Sequence, residues 1–377
     1  MQRYYFDHNA TTPIADSVLE VYSKSLKDCH GNASSIHYHG QQAKMVLEKA
    51  RRQVGAFLGA SPKDVVFTSG GTEADNLAIF GVMRGNKRRH AVTTTIEHPA
   101  VLNCFAQLER EGFDVTYVGC NAEGVVEPEA IRHAVCTETA LVSVMHANNE
   151  LGTIQDIGSM AEIANEAGAL FHSDGVQMAG KLPMDVGATG VDLYAISGHK
   201  FHAPKGVGAL YVRKGVVLAP QQFGGRHELG RRAGTENVPA LAAMGQAAEI
   251  ASGSGVAELR DHLEREISGR LPDVRLNALL APRLPNTSNI CFSGIEGEAM
   301  VISLDLKGFS VSSGAACSSG AVEPSHVLLA IGLTREQAKS CIRFSLGPGN
   351  DLNQVNLLIE ALAASCAQLR RLSPSYA

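Results

Sequence analysis

Nowhere do the 377 residues hold an apolar run approaching the ~18–20 that a bilayer span needs, which excludes a transmembrane helix. The opening stretch Met1-Gln2-Arg3-Tyr4-Tyr5-Phe6-Asp7-His8 has no apolar signal core, so export by that route is not expected. Charge is sparse and mixed: 33 Lys plus Arg stand against 38 Asp plus Glu, a net of -5 with no block of one sign. Nucleic acid is therefore disfavoured as an electrostatic partner. The eight cysteines (Cys29, Cys104, Cys120, Cys136, Cys291, Cys317, Cys341, Cys366) form no Cys-x-x-Cys and no spacing that suggests zinc or a disulfide framework. A chain of this size with such a pattern is expected in a reducing cytoplasm, most thiols acting as small buried hydrophobes. No internal repeat is visible, and only the Ser/Gly/Ala stretch from Ser312 to Ala321 comes near low complexity.

What is present is enough apolar material for a large core. Apolar residues make up 45% of the chain, the mean hydropathy is -0.01 and the mass is 39.9 kDa. Two or three structural units are expected, because single cores stop growing near ~250–300 residues. Short apolar strands (65–68, 91–96, 115–118, 140–147, 169–172) alternate with amphipathic helices (72–83, 99–111, 128–136, 157–167). That alternation predicts an α/β fold with a mainly parallel sheet covered by helices on both faces. Past Ala251 the pattern changes. A Ser-Gly-Ser-Gly joint leads into a charged helix over 256–271, strands over 288–292 and 341–345, and a last helix whose stripe of Val355, Leu358, Ile359, Leu362, Cys366 and Leu369 has helical period. This predicts a smaller α+β unit.

The chemistry-bearing residues cluster at strand ends. Thr68-Ser69-Gly70-Gly71-Thr72-Glu73 is a Gly-rich turn between strand and helix, suited to a phosphate or simply to a tight connection. It is no Walker loop, since no Gly-Lys-Ser/Thr follows. Asp174 ends a strand at the carboxyl edge of the sheet, where it can hold a protonated ring nitrogen or cap a helix. Lys200, in Ser197-Gly198-His199-Lys200, follows a buried strand and is either an amine of lowered pKa that attacks carbonyls or a solvated lysine like Lys205. His98 stands at a strand-to-helix junction, placed to stack on an aromatic ring and move protons. Asn148-Asn149-Glu150-Leu151-Gly152 offers amides or plain turn chemistry. Cys317 sits among Ser, Gly and Ala, which suggests a mobile, accessible thiol. Arg343, a charge inside an apolar strand, needs a partner: a substrate carboxylate or a structural carboxylate.

Together these specify a pyridoxal-phosphate site, and the chain closely resembles the cysteine desulfurases, the NifS/IscS-type group of the class V aminotransferase superfamily. The resemblance runs in order through Asp7-His8-Asn9-Ala10-Thr11-Thr12-Pro13, Ser69-Gly70-Gly71-Thr72-Glu73, Glu97-His98, Asn148 to Gly152, Asp174, Ser197 to Lys200, Arg232-Ala233-Gly234-Thr235, Ser313 to Cys317 and Arg343 to Gly347. It implies a type I pyridoxal-phosphate transferase fold: a large α/β domain over 16–255 with a mostly parallel seven-stranded sheet, and a small α+β domain from 1–15 and 256–377 carrying the cysteine loop. It also implies roles. Lys200 would bond the cofactor's aldehyde, Asp174 would pair with the ring nitrogen, and His98 would stack on the ring. Asn149 and Gln177 would bond the ring oxygen and its surroundings; Gly71, Thr72, Ser197 and His199 would cradle the phosphate, and Thr235 would reach it from the second subunit of a homodimer. Arg343 with Asn32 would clamp the carboxylate of L-cysteine. Cys317 would take the sulfur as a persulfide and pass it to an iron–sulfur scaffold or another acceptor, with a transient cluster-ligand role for the same thiol left open. Ala33, His202, Ala203 and Arg226 depart from the usual residues. The rival enzyme readings are an aminotransferase, β-lyase or selenocysteine lyase on the same scaffold; the rival from another class is a non-catalytic sulfur carrier. The stretch from Gly230 leans towards the nitrogen-fixation branch, and the acceptor stays open.

Overall fold

The computed structural model describes residues 2–251, 253, 255–313 and 323–372. Its strands are β1 (Tyr4–Tyr5), β2 (Val65–Thr68), β3 (His90–Thr94), β4 (Asp114–Val118), β5 (Thr139–Ser143), β6 (Leu170–Asp174), β7 (Leu193–Ser197), β8 (Gly208–Val212), β9 (Val274–Leu276), β10 (Thr287–Phe292), β11 (Phe309–Ser310) and β12 (Cys341–Ser345). Seven of them form one sheet in the order β2-β8-β7-β6-β5-β3-β4. Neighbours run parallel except β8, which is antiparallel to both β2 and β7. That strand was not predicted. It follows β7 with no α-helix between them, so the alternation of strand and helix does not mark it as a separate unit.

Every residue of β2, β5, β7 and β8 is buried. The sheet divides its side chains by pleat. Val65, Phe67, Val92, Val142, Tyr194, Ile196, Ala209 and Tyr211 enter one core, while Val66, Ala91, Leu141, Leu193, Ala195, Leu210 and Val212 enter the other. With both faces covered, alternation disappears from the sequence and the strands read as continuous apolar runs. Parallel strands connected by helices place β3, β5, β6 and β7 with their carboxyl ends at one edge, and there the loops can converge on a ligand.

A third core joins Phe6 to residues between Val256 and Cys366. It packs a three-stranded sheet, β12-β10-β9, against helices Ala257–Arg270 and Leu352–Leu372. Strands β1 and β11 pair parallel, so the N-terminal arm is threaded into this smaller unit. Val327, Leu328 and Ile331 instead join the first core, which ties the smaller unit to the sheet.

The cysteine reading requires a correction. Cys291 and Cys341 are register partners on antiparallel β10 and β12, and they are joined as a disulfide. They lie 50 residues apart, so only the strand register reveals the pair. Among the free cysteines, Cys104 and Cys366 are buried, Cys29 and Cys120 half-buried and Cys136 exposed.

Candidate active site

Five segments deliver side chains to one cavity of about 200 Å³ at the carboxyl edge of the sheet. Its walls are Gly71, Thr72, Asp75, His98, Met145, Asn149, Asp174, Val176, Gln177, Ser197, His199 and Lys200. Nine of the thirteen residues predicted for the site are among them; Asn32, Thr235, Arg343 and Cys317 are not.

The floor is the start of helix Gly71–Met83. Its N-cap is Gly70, which has no side chain to offer the first N–H groups. An uncapped helix start holds free donors and the positive end of the dipole, and Thr72, Ser197 and His199 stand beside it. This is a phosphate's environment. His199 Nδ1 lies 3.1 Å from Thr11 Oγ1, and burial, followed by the charges of Lys200, Lys205 and Lys181, lowers its pKa to about 4.

Asp174 closes β6. Its Oδ1 accepts from Val176 N–H at 2.9 Å, so it orders the following turn as well as facing the cavity. Gly175 is required next, because a Cβ there would lie 1.8 Å from the Tyr194 ring. Burial raises the Asp174 pKa against the pull of His98, Val176 N–H and Lys200. Two further carboxylates crowd it. Asp75 is pushed well above the carboxylate range by burial and then by Asp174 and Glu97. Glu97 is pushed up to about 8, chiefly by burial. Sequence reading assigned neither a role: Asp75 looks like an ordinary helical residue until the helix is seen buried nearly all round. An acid pocket this dry favours a cationic ring N–H opposite Asp174.

His98 is the N-cap of helix Pro99–Arg110, its Nδ1 accepting from Ala100 N–H at 3.1 Å. Accepting at Nδ1 leaves the proton of the neutral ring on Nε2 and fixes the plane of the imidazole. The ring is open to the cavity mouth. Protein surroundings still lower its pKa, with Lys200 and His326 adding to burial and Asp174 opposing it.

Lys200 follows β7 in a short 3-10 turn. Its Nζ donates to the carbonyls of Asn9 at 2.5 Å and Ala10 at 2.9 Å. Burial, then the charge of Arg343, lowers its pKa to about 8, while Asp174 and Asp7 pull the other way. Lys205 is exposed, as expected of a solvated lysine.

Arg343 lies outside the cavity wall, on β12. Its guanidinium donates to Asp7 Oδ1 at 2.6 Å and Asn149 O at 3.0 Å, while its buried Nε has no hydrogen-bond partner among the described residues. The structural-carboxylate alternative therefore holds in part, with one edge of the fork left over. Asn32 is exposed and spends its Oδ1 on Ser34. Thr235 is exposed as well. Cys317 lies outside the described residues. Among the described residues no group of three or more His, Cys, Asp or Glu side chains could hold a metal ion.

Comparison with known proteins supplies an independent line. The family model described as "Aminotransferase class-V" matches residues 4–358. A cysteine desulfurase of Nostoc sp. (strain PCC 7120) is 45% identical over 99% of this chain and 95% of its own length. Among solved structures, a NifS-like protein superposes with a TM-score of 0.91 at 36% identity, covering 97% of this chain and 100% of that one. A second, described as SspA in complex with cysteine, has a TM-score of 0.84 at 36% identity, covering 91% and 99%.

Proposed function

The chain belongs to the class V aminotransferase family, and we propose that within it this protein is a pyridoxal-phosphate-dependent cysteine desulfurase. The observation that carries this reading is the meeting of Lys200, Asp174 and His98 in one cavity floored by an uncapped helix start. When bound, pyridoxal phosphate supplies an electron-withdrawing ring that acidifies the C–H bond beside the substrate's amino group.

The chain's own residues do the rest. Lys200, with its pKa near 8, presents an appreciable fraction of free amine at neutral pH, the form that bonds an aldehyde and can take the α-proton. Asp174, buried and crowded by Asp75, holds a proton on the ring nitrogen. Gly71, Thr72, Ser197 and His199 hold the phosphate, and His98 covers the ring. The spare Nε edge of Arg343 receives the substrate carboxylate. Cys317 acts as thiolate: its Sγ bonds the substrate sulfur as the carbon–sulfur bond breaks, and the carbon takes a proton and leaves as alanine. That role rests on the Ser313-Gly314-Ala315-Ala316-Cys317 motif.

The finer reading is a homodimer in which Thr235 completes the second subunit's phosphate site, a role its exposure leaves open. Exposed Ile36, Tyr38, Phe223 and Leu229 favour such a covered face. We place the division between large and small units at 16–255 against 1–15 with 256–377, and the persulfide's destination at an iron–sulfur scaffold or similar acceptor in the cytoplasm. Among the described residues no helix is long and apolar enough to cross a membrane.

The test is chemical. The purified protein should show a visible cofactor band and convert L-cysteine to equal amounts of alanine and sulfur. Cys317→Ser should keep the band and lose sulfide release by ~10²-fold or more. A variant that retains near-full sulfide release would make this a lyase.

A further inference from the structure

Lys181 is a buried lysine without an acid. It is 5% exposed, and among the described residues no carboxylate forms an ion pair with it. Burying an amine is costly, and a methylene chain ending in a methyl group would fill the same space without that penalty. Its contacts show what the nitrogen does. Lys181 Nζ donates to the backbone carbonyl of Gln177 at 2.8 Å and to Gln177 Oε1 at 2.7 Å. The other end of that amide, Gln177 Nε2, donates to Asn9 O at 2.9 Å. The same Asn9 carbonyl receives Lys200 Nζ at 2.5 Å.

Asn9 is a fixed post. Its backbone N–H donates to Ser345 Oγ at 2.9 Å, its Nδ2 to Thr287 Oγ1 at 2.9 Å, and its Oδ1 accepts from Asn286 Nδ2 at 3.0 Å. A primary amide has a donor end and an acceptor end, and its neighbours decide which way it turns. With Lys181 offering hydrogens on one side and Asn9 a carbonyl on the other, only one orientation of Gln177 satisfies both. The reversed amide would set Oε1 against Asn9 O.

We propose that Lys181 is a positioning residue that locks the Gln177 amide donor-first towards the Asn9 carbonyl and the ring cavity, and so holds Lys200 in its working environment. The proposal rests on the reading of Lys200 as the cofactor lysine. Burial, with the charges of Lys200 and Arg343, drives Lys181 towards its neutral form. A neutral amine has two N–H donors, the number its two acceptors take. Lys181 also shares a cavity of about 290 Å³ behind Lys200 with His8 and His202, so the groups facing it are cationic or neutral.

The consequence is readable without catalysis. In cofactor-free protein, the pH at which Lys200 becomes half-reactive towards acetic anhydride is followed by peptide mass spectrometry. Without the lock the amide turns away, Asn9 O serves Lys200 alone, and the protonated form of Lys200 gains. Lys181→Met should therefore raise the midpoint and lower Lys200 acetylation at pH 8 about threefold. Gln177→Leu should do the same, and the double variant no more than either alone, because both remove one device. An unchanged midpoint in Lys181→Met, or additive effects in the double variant, overturns the proposal. If Lys181→Met is recovered only unfolded, Gln177→Leu decides alone: a midpoint equal to wild type overturns it. A failure of the cofactor reading shows separately, as wild-type protein that binds no pyridoxal phosphate while the labelling still reports on Lys200.

Discussion

The two sides of the cleft are built on opposite plans. On the ring side, Asp174, Asp75 and Glu97 are acids that burial drives towards their protonated forms, and the helix at Gly71 begins without a cap. On the carboxylate side, Arg343 is already answered by Asp7 and by the Asn149 carbonyl. The ring side is complete only with a ligand, whereas the carboxylate side is held together by the protein's own groups and leaves only one guanidinium edge spare. The first should hold its ligand tightly and permanently; the second should take and release a substrate carboxylate at its spare guanidinium edge on each turnover.

Two variants can break that contrast. The largest effect should come from Asp174→Ala, which removes the group that keeps the ring nitrogen protonated. A loss of ~10³-fold in kcat is expected, within the range for deleting a positioned proton-holding group, together with loss of the visible band on dialysis. Arg343→Met should fall below it. Deleting one charged hydrogen-bond contact is worth about 1.5–3 kcal/mol, or ~10–150-fold in kcat/KM. The loss should appear in KM, with the cofactor band untouched. If Arg343→Met sheds cofactor as readily as Asp174→Ala, the two sides are one network and the contrast fails.

The same contrast explains what could be read from the sequence. Asp174, His98 and Lys200 each end or follow a strand, so a local pattern of apolar run, polar residue and turn marks them individually. The sheet was legible for the same reason, apart from β8, whose antiparallel return to β2 leaves no local sign. The carboxylate side is assembled over long separations. Asp7 meets Arg343 across 336 residues, and the Cys291–Cys341 bridge between β10 and β12 depends wholly on register. Lys181 is the sharpest case. In sequence it is a polar residue in a Gly-Lys-Leu turn, and only its burial shows that the nitrogen faces inward.

The smallest expected effect joins the two sides. Lys200 must lose a proton before it can bond an aldehyde, so the rate at which cofactor-free protein takes up pyridoxal phosphate should rise with pH through about 8. Arg343 lowers that midpoint and Asp7 raises it. Because they form an ion pair, each blunts the other's field at Lys200, and removing either exposes the remaining charge in full. Arg343→Met should therefore move the midpoint up, since a cation is lost and Asp7 is left unscreened. Asp7→Asn should move it down, since an anion is lost and Arg343 is left unscreened. A displacement of ~0.5 pH unit either way corresponds to about a threefold change in rate at fixed pH below the midpoint. The double variant should return close to wild type, because it removes a charge pair rather than a charge. Stopped-flow measurement of uptake at several pH values reads all three. If both single variants shift the midpoint in the same direction, structural loosening governs Lys200, and the carboxylate side carries no electrostatic influence on the ring side.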